Sequence, residues 1–566
     1  MYSYVLKFYF GSMKKSFIKS VVLALTLTIS LSSPAQTRSR KDAINRSLDL
    51  FTSVFKEMQT FYVDSIDSEK AVETAINSML AQLDPYTVYM PRQEVDEFKT
   101  MNTGEFGGIG SYIVQRNGNV YISGPYKGSP AARAGLRPGD LIIEVDGDTV
   151  LGFTSAKVSD MLKGTPGTPL SIKVKRPYVE DSILLFNLTR EKIKVPSVPY
   201  YGVQNGDIGY IVLTSFTEST GEEVKNALTE LKQNPDVKSI ILDLRGNPGG
   251  LLESAVKVVG NFVPKGTEVI RTKGKEALME KVYKTTTPPI DTEIPLVILI
   301  DGESASSAEI TAGSLQDLDR AVIIGNRSYG KGLVQITRTL PYDGLLKVTV
   351  SKYYIPSGRL IQAIDYSHRD ENGRVTRIPD SLTTEFRTAH GRIVRDGGGI
   401  TPDVNVTYPE LSRIVYNIIS DLWAFDFANK YYAEHPEAPK IDEFVITDEI
   451  YNDFKNFIDP EKFNYDRVCV TILDNLRNAA KIEGYASDSL DEQFNVLEGM
   501  FKHPLQHDLD AQREAIEPIL LREIIERYYF DSGSIEVQLR SDKALETATE
   551  VLHTPGKVKE ILSPKK

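Results

Sequence analysis

Histidine is missing from the stretch of the chain in which the other candidate catalytic residues collect. The six histidines are His368, His390, His435, His503, His507 and His553. None of them lies between Gln36 and Ser367. Catalysis by a Ser-His-Asp or Cys-His arrangement needs an imidazole. A catalyst of that kind in this stretch would therefore require a later segment to fold back onto it.

Two loops in this stretch carry serine and lysine instead. One is Asp301-Gly302-Glu303-Ser304-Ala305-Ser306-Ser307-Ala308-Glu309, and the other is Ser328-Tyr329-Gly330-Lys331-Gly332. A neutral lysine amine can activate a serine if burial lowers the pKa of that lysine from about 10.4 towards neutrality. The alternative interpretation is that the serines cap a helix and the lysine is solvated. The two loops alone leave both interpretations open.

A third loop, Arg245-Gly246-Asn247-Pro248-Gly249-Gly250, joins an apolar run to a helical pattern. Consecutive glycines can turn backbone N–H groups towards a developing oxyanion, which is a large electrostatic contribution to acyl transfer. The same residues are also typical of a tight strand-to-helix turn.

Two other kinds of site are disfavoured by the residues. The segment 325–331 matches the phosphate-binding pattern G-x-x-x-x-G-K, but Gly332 stands where a Ser or Thr would hold Mg²⁺. His503 and His507 have i,i+4 spacing, but Pro504 lies between them and no third ligand is evident. We predict no metal and no organic cofactor.

The three loops lie in a region where strand and helix patterns alternate. The predicted strands and helices, in chain order, are Ile208–Leu213, Glu222–Lys232 (helix), Ser239–Leu244, Leu251–Phe262 (helix), Pro295–Ile300, Ala308–Leu318 (helix) and Ala321–Gly325. This alternation predicts an α/β core with a largely parallel sheet. Each of the three loops follows a predicted strand, and chemistry is expected at the carboxyl ends of such strands.

The flanking regions have different patterns. Residues 44–83 show the apolar spacing of two amphipathic helices, and residues 104–190 consist of short β-rich runs separated by glycines. After Pro402-Asp403 a helical periodicity with dense charge continues. The single cysteine, Cys469, lies in an apolar run, so we expect a buried structural thiol.

The N-terminal residues predict export. Lys14, Lys15 and Lys19 precede an apolar stretch that is followed by Ser33-Pro34-Ala35, and this order is typical of a secretory signal. The stretch is too short to cross a hydrocarbon core of about 30 Å. We expect a mature protein that begins at Gln36 and has no stable membrane anchor, located in the periplasm if the source has two membranes.

The net charge of the chain indicates whether it could bind nucleic acid. The chain has 66 Lys+Arg and 77 Asp+Glu residues, and its net charge is −11. Because phosphate contacts need a basic surface, we predict no nucleic-acid partner.

Taken together, the motifs from about Leu83 to Pro402 resemble those of the C-terminal processing peptidases, the tail-specific serine–lysine proteases. Besides the three loops, the matching segments are Leu83–Tyr89, Ser129–Leu136, Gly139–Ile142, Leu333–Gln335 and Pro356–Arg359. The resemblance implies that Ser306 is the nucleophile, Lys331 the general base and Gln335 a residue that orients the lysine amine. Ser307-Ala308 stands where the family commonly has Ala-Ser, which makes Ser307 a competing candidate for the nucleophile.

The resemblance also implies how the oxyanion and the substrate tail are bound. The oxyanion would meet the backbone N–H of Ser307 and that of Gly249 or Gly250. A peptide C terminus would add as a strand beside Gly110–Val114 of a PDZ domain. The residues expected to hold its carboxylate and to line its apolar pocket are Phe106, Gly107, Gly108, Ile109, Gly110, Val158, Met161 and Leu162.

The fold expected from these observations is an α+β multidomain chain. Its expected parts are a signal peptide (1–35), an N-terminal helical region (36–100), an inserted β-rich PDZ domain (101–190), an α/β crotonase-like serine protease core (191–405) and a helical C-terminal region (406–566). The function implied is an exported serine endopeptidase that recognises proteins by apolar C-terminal tails. The alternative is a non-catalytic peptide-binding scaffold of the same fold. The helical regions are candidates for homo-oligomerisation or for binding an adaptor.

Overall fold

The computed structural model describes residues 41–180, 182–369, 374–463, 468–501 and 504–564. The predicted signal peptide (1–35) and His503 lie outside the described residues. The chain forms two compact units, which divide between Tyr89 and Met90.

The first unit contains the two amphipathic helices that the sequence predicts. Helix α1 covers residues 41–61 and helix α2 covers Ser68–Leu80. The carboxylate of Asp67 accepts the backbone N–H groups of Glu69 and Lys70 and so caps α2. The short strand β1 (Val88–Met90) lies at the division between the units.

The second unit begins with helix α3 (Arg92–Thr103) and a β-rich module. The strands and helices of the module are β2 (Glu105–Gly108), β3 (Ser111–Arg116), β4 (Asn119–Pro125), α4 (Pro130–Ala134), β5 (Leu141–Val145), β6 (Asp148–Thr149), α5 (Ser155–Leu162), β7 (Pro169–Lys175), β8 (Ile183–Thr189) and β9 (Glu191–Lys194). Its sheet has the order β3-β4-β5-β7-β8, so β3 is an edge strand, and β2 pairs separately with β9. The predicted β-rich module is thereby confirmed.

An α/β core follows the β-rich module. Its elements are β10 (Tyr200–Gln204), β11 (Ile208–Val212), α6 (Thr220–Gln233), β12 (Ser239–Asp243), α7 (Leu252–Val259), β15 (Leu296–Ile300), α8 (Ser307–Asp317), β16 (Val322–Gly325) and β21 (Val404–Asn405). The sheet has the order β10-β11-β12-β15-β16-β21, and every pair from β11 to β21 is parallel. The sequence prediction of a largely parallel sheet is confirmed.

A second, antiparallel sheet interrupts this succession. Four of its strands are β13 (Glu268–Gly274), β14 (Lys281–Lys284), β17 (Leu333–Thr339) and β18 (Leu345–Tyr354). Strands β17 and β18 form a long hairpin that starts directly after Gly332. The small pair β19 (Glu385–Arg387) and β20 (Ile393–Arg395) precedes β21.

The described residues after Ser412 are mainly helical, as predicted. The helices are α9 (Arg413–Ser420), α10 (Trp423–Glu434), α11 (Asp448–Phe457), α12 (Val468–Ile482), α13 (Asp488–Phe501), α14 (Leu505–Ala511), α15 (Arg513–Gln538), α16 (Lys543–His553) and α17 (Lys557–Ile561). Helices α9 to α11, α14 and α15 share an apolar core that includes Phe427, Phe454 and Leu520.

The expectation of a buried Cys469 is wrong, because this thiol is exposed. It lies at the start of α12, where Val468 and Ile472 are also exposed and Leu473 is the buried residue. Successive residues of a helix point in different directions, so an unbroken apolar run cannot face a core with all its members. The run Val468–Val470 gave no information about which of its members would be buried.

Both faces of the parallel sheet are covered by helices. Helices α6, α7 and α8 pack on one face, with Leu242, Ile298 and Ile323 among the buried strand residues. Helix α16 packs on the other face, where Leu545, Ala548 and Val551 cluster with Val297 and Leu299. Strand side chains alternate between the faces, so an all-apolar strand is buried on both.

Candidate active site

Three loops emerge at the carboxyl edge of the parallel sheet. The glycine loop (residues 245–250) follows β12, the serine loop (residues 301–306) follows β15, and the lysine loop (residues 326–332) follows β16. Because β12, β15 and β16 are adjacent and parallel, their following loops meet at one edge. The sequence predicted that each loop follows a strand, and the strand order places the three loops side by side.

Ser306 has an unusual backbone conformation. It caps α8 with φ 54° and ψ −113°, a region that non-glycine residues rarely occupy. Such strain costs on the order of 1–3 kcal/mol and must be supported by the surroundings. The Ser306 N–H donates to Glu309 Oε2 at 2.9 Å, which is one such support.

The three serines of this segment differ in what their hydroxyls contact. The Ser304 hydroxyl is buried and donates to the Leu244 carbonyl at 2.8 Å. The Ser307 hydroxyl is also buried and donates to the Gly250 carbonyl at 2.9 Å. Ser306 is only partly buried. Of the two candidates for the nucleophile, Ser307 therefore has a hydroxyl engaged in packing the loops together.

Glu309 connects the serine loop to the lysine loop. Its carboxylate is fully buried, and Oε2 accepts both the Ser306 N–H and the Lys331 N–H, the latter at 2.8 Å. Oε1 accepts the Gly330 N–H at 2.7 Å and the Ser328 hydroxyl at 2.5 Å. Burial raises the pKa of the Glu309 carboxyl, although these hydrogen bonds act in the opposite direction. One carboxylate thus fixes the backbones of Ser306 and Lys331 relative to each other.

Tyr353 makes a second connection between the same two residues. Tyr353 is buried near the end of strand β18. Its hydroxyl donates to the Lys331 carbonyl at 2.7 Å and lies 3.3 Å from the Ser306 carbonyl oxygen. The side chain of Lys331 is partly buried. Gln335 lies on β17, and its amide nitrogen donates to the Thr349 hydroxyl of β18 at 3.1 Å.

The glycine loop lies against the serine. A Cβ atom on Gly249, whose φ is 98°, would be 2.8 Å from Ser306 Cβ and 2.7 Å from the Ala305 carbonyl oxygen. Only a residue without a side chain permits this approach. The Gly249 N–H donates to the Asn247 side chain at 2.8 Å, and Gly250 accepts the Ser307 hydroxyl. The structure thus brings Gly249, Gly250 and Ser307 next to Ser306.

The predicted peptide-binding residues lie at one end of the β-rich module. Phe106, Gly107 and Gly108 belong to β2, while Ile109 and Gly110 lead into the edge strand β3. The Gln115 side chain on β3 accepts the Ser155 N–H at 3.1 Å, which joins β3 to the start of α5.

The three predicted pocket residues on α5 differ in exposure. Val158 and Leu162 are buried in the core of the module. Met161 is partly buried and packs against that core. Of the three, Met161 therefore has surface available to a ligand without rearrangement.

Sequence reasoning missed Glu309 and Tyr353. Glu309 had a detectable signal, because Ser306 and Glu309 have the S-x-x-E spacing of a capping box. Tyr353 had none, since its contact with Lys331 depends on the pairing of β17 with β18.

The described residues contain neither a cluster of metal-binding side chains nor a helix suited to span a membrane. No group of three or more His, Cys, Asp or Glu side chains is arranged among them to hold a metal ion. None of the helices in the described ranges has the length and apolar character that crossing a bilayer requires.

Four parts of the chain match known protein families. Residues 207–367 match peptidase family S41, and residues 121–176 match the PDZ domain. Residues 414–552 match the C-terminal helical domain of probable PDZ-proteases, and residues 13–94 match the N-terminal domain of the activating protease CtpB.

Individual proteins are similar over a large part of the chain. A carboxy-terminal-processing protease of Bartonella bacilliformis is 36% identical over 351 residues, which span 62% of this chain and 80% of that protein. A probable CtpA-like serine protease of Staphylococcus aureus is 35% identical over 320 residues, or 56% of this chain and 62% of that protein. Among solved structures, a photosystem II D1 C-terminal processing protease is 26% identical, with a TM-score of 0.35, over 62% of this chain and 85% of that one.

Proposed function

The chain belongs to the carboxy-terminal-processing serine proteases of peptidase family S41, and from this premise we propose that it is an endopeptidase with a Ser306–Lys331 dyad. The observation that carries the proposal is the Glu309 carboxylate, which accepts the backbone N–H of both residues. Proton transfer within a serine–lysine dyad needs the two residues held at a fixed separation, because a small displacement of either group lowers the rate. The partly buried position of both residues leaves room for a substrate carbonyl.

The proposed reaction proceeds through an acyl-enzyme. The neutral Lys331 amine takes the proton of the Ser306 hydroxyl while Ser306 Oγ attacks the carbonyl carbon of the scissile bond. The resulting ammonium gives that proton to the leaving amine, and the C–N bond breaks. Lys331 then takes a proton from water, whose oxygen attacks the acyl carbon. The ammonium returns this proton to Ser306 Oγ as the Oγ–C bond breaks, which releases the new C terminus and restores the dyad.

The oxyanion donors in this proposal are the N–H groups of Gly250 and Ser307. The Gly249 N–H is already donated to Asn247, which makes Gly249 the weaker of the two glycine candidates. Gly250 presents its carbonyl to the Ser307 hydroxyl, and the backbone bonds of Phe216 beside it use the Gly249 carbonyl and the Leu251 N–H instead of the Gly250 N–H. Preorganised donors of this kind are worth about 10²–10³ in rate each.

One variant of the serine and one of the lysine test the dyad. We expect Ser306→Ala and Lys331→Ala each to lose at least about 10³-fold in kcat on an unfolded test protein. Ser306→Ala should also lose labelling by a fluorophosphonate, which reacts with activated serines. Lys352→Ala is the matched control, because Lys352 is an exposed lysine on β18 and should leave activity unchanged. Wild-type activity in Ser306→Ala would contradict the dyad and favour a non-catalytic scaffold.

We further propose that the β-rich module binds the C-terminal tail of the substrate. The match of residues 121–176 to the PDZ domain and the unpaired edge of β3 support this, since a peptide can add to such an edge as a strand. Amidating the C terminus of a responsive peptide removes its carboxylate charge and should weaken binding by about tenfold. Equal affinity for acid and amide would contradict a carboxylate site at Phe106–Ile109.

Export is also part of the proposal and depends on residues 1–35. Sequencing the N terminus of protein secreted from its natural host should give Gln36 as the first residue. A mature protein that retains Val21–Leu31 would contradict removal of a signal peptide.

A further inference from the structure

The guanidinium of Arg245, the first residue of the glycine loop, contacts the side chains of Asp243, Tyr210, Asp542 and Tyr408. Within its own segment it donates to Asp243, from Nε to Oδ1 at 2.9 Å and from Nη2 to Oδ2 at 2.7 Å. Nη2 also lies 3.0 Å from the Tyr210 hydroxyl on β11, and this hydroxyl donates to Asp243 Oδ2 at 2.6 Å. These contacts join the loop to the two strands next to it.

The third partner of Arg245 is Asp542, which lies 297 residues away in sequence. The pair has two contacts, Nη1 to Oδ1 at 3.0 Å and Nη2 to Oδ2 at 2.6 Å. A two-pronged contact between a guanidinium and a carboxylate fixes orientation as well as distance. The side chain of Asp542 is 5% exposed and that of Arg245 18%, so water screens this pair little.

Asp542 is itself held rigidly at the start of α16. Its Oδ1 accepts the backbone N–H groups of Ala544 at 2.8 Å and Leu545 at 3.1 Å, which makes it the N-cap of that helix. Helix α16 is in turn fixed by Leu545, Ala548 and Val551 in the apolar layer on the sheet. The carboxylate that reaches Arg245 is therefore part of a packed element and not of a mobile side chain.

We propose that Asp542 is a positioning residue of the active site, which fixes the glycine loop through Arg245. This inference rests on the function proposed above. Gly249 comes only four positions after Arg245 and lies against Ser306 without space for one extra carbon. A shift of the loop by a fraction of an ångström therefore changes the position of the N–H groups offered to the oxyanion. Helix α16 thereby helps to position the active site, although it lies outside the three loops.

If Asp542 had a purely structural role, its loss would lower the stability of the protein and leave kcat unchanged. Without Asp542, Arg245 keeps Asp243 and Tyr210 as partners, so no guanidinium is left buried and unpaired. The cost to folding is then limited to the cap and to one ion pair. The cost to catalysis is separate, because donor placement affects the transition state more than substrate binding.

The decisive variant is Asp542→Asn. An asparagine oxygen can still cap α16, but the amide cannot accept both nitrogens of Arg245. We expect kcat on a peptide substrate to fall about tenfold while KM changes less than twofold. Arg245→Lys leaves the cap intact and removes the two-pronged contact, so its kcat should fall by a similar factor. The kcat of the double variant should be no lower than that of either single variant. An unchanged kcat in Asp542→Asn would overturn the inference.

Two controls separate this result from instability and from failure of the dyad. Thr447→Ala removes the N-cap of α11, which has no contact with the glycine loop, and should lower stability with kcat unchanged. If Asp542→Asn does not fold, Asp542→Ser, which keeps a capping hydroxyl and removes the carboxylate that reaches Arg245, is judged by the same criterion. Activity in Ser306→Ala would overturn the proposed function itself, whereas an inactive Ser306→Ala beside a fully active Asp542→Asn would overturn only the role of Asp542.

Discussion

The serine loop and the glycine loop are neighbours at one edge of the same sheet, yet they are held in different ways. The serine loop ends at Ser306, whose support, Glu309, lies three residues further along the chain. The glycine loop begins at Arg245, whose most distant support, Asp542, lies 297 residues further along. The serine loop has an anchor within its own motif, while the glycine loop, besides local contacts such as that of the Gly246 N–H with Asp301, has one anchor outside the protease motif. Changes far from the motif can therefore disturb the oxyanion donors while the serine conformation stays intact.

The largest effect is expected from Glu309→Gln, which removes the local anchor. Each carboxylate oxygen of Glu309 accepts two donors, and the glutamine NH₂ would face two of these donors instead. Leaving buried donors unpaired costs about 1–3 kcal/mol each, so unfolding by urea should show a loss of about 3 kcal/mol. Fluorophosphonate labelling of Ser306 should be lost as well.

Glu303→Gln is the matched control for this variant. Glu303 lies on the same loop but is exposed, so its substitution should change neither the free energy of unfolding nor the labelling rate. Normal labelling of Glu309→Gln would mean that the serine loop does not depend on its local anchor.

A smaller effect is expected where the two loops touch. In Gly249→Ala the new methyl group would collide with Ser306 Cβ and the Ala305 carbonyl, so kcat should fall about 10²-fold. Gly246→Ala is the comparison, because Gly246 also has a positive φ (65°) but a Cβ there meets nothing within 4 Å. It should cost about 1 kcal/mol of stability and little activity. Equal kcat values for the two variants would show that backbone strain alone matters.

The smallest effect is expected from Ser307→Ala, which removes a single hydrogen bond between the loops. The hydroxyl donates to the Gly250 carbonyl, so the variant should lose about 1 kcal/mol in unfolding free energy. The acylation rate should fall less than tenfold, because the backbone N–H of residue 307 is retained. A loss of labelling as complete as in Ser306→Ala would restore Ser307 as a candidate for the nucleophile.

Much of the fold could be predicted from local sequence. The strands at 208–213, 239–244, 295–300 and 321–325 are short apolar runs between helical patterns, and buried parallel strands have this pattern because both of their faces are covered. The sequence also placed the three loops at the ends of these strands, and the structure brings them together. The roles of Ser306, Lys331 and Gln335 stay predictions until the variants are measured.

Long-range contacts could not be predicted from one sequence. Helix α16 looks like any other amphipathic helix with an aspartate cap, and its pattern does not say which apolar surface it covers. The ion pair of Asp542 with Arg245 likewise depends on that packing. The exposure of Cys469 was mispredicted for the same reason, since an apolar run in a helix does not reveal how much of the helix is covered.

The position of α16 has a consequence for how the protein is made. The face of the parallel sheet that carries Val297 and Leu299 is covered by Leu545 and Val551, which are synthesised about 250 residues later. A chain that ends before α16 would leave this apolar face of the sheet exposed to solvent. We therefore expect such a truncated chain to aggregate more readily than the whole chain, and its glycine loop would lack the contact with Asp542.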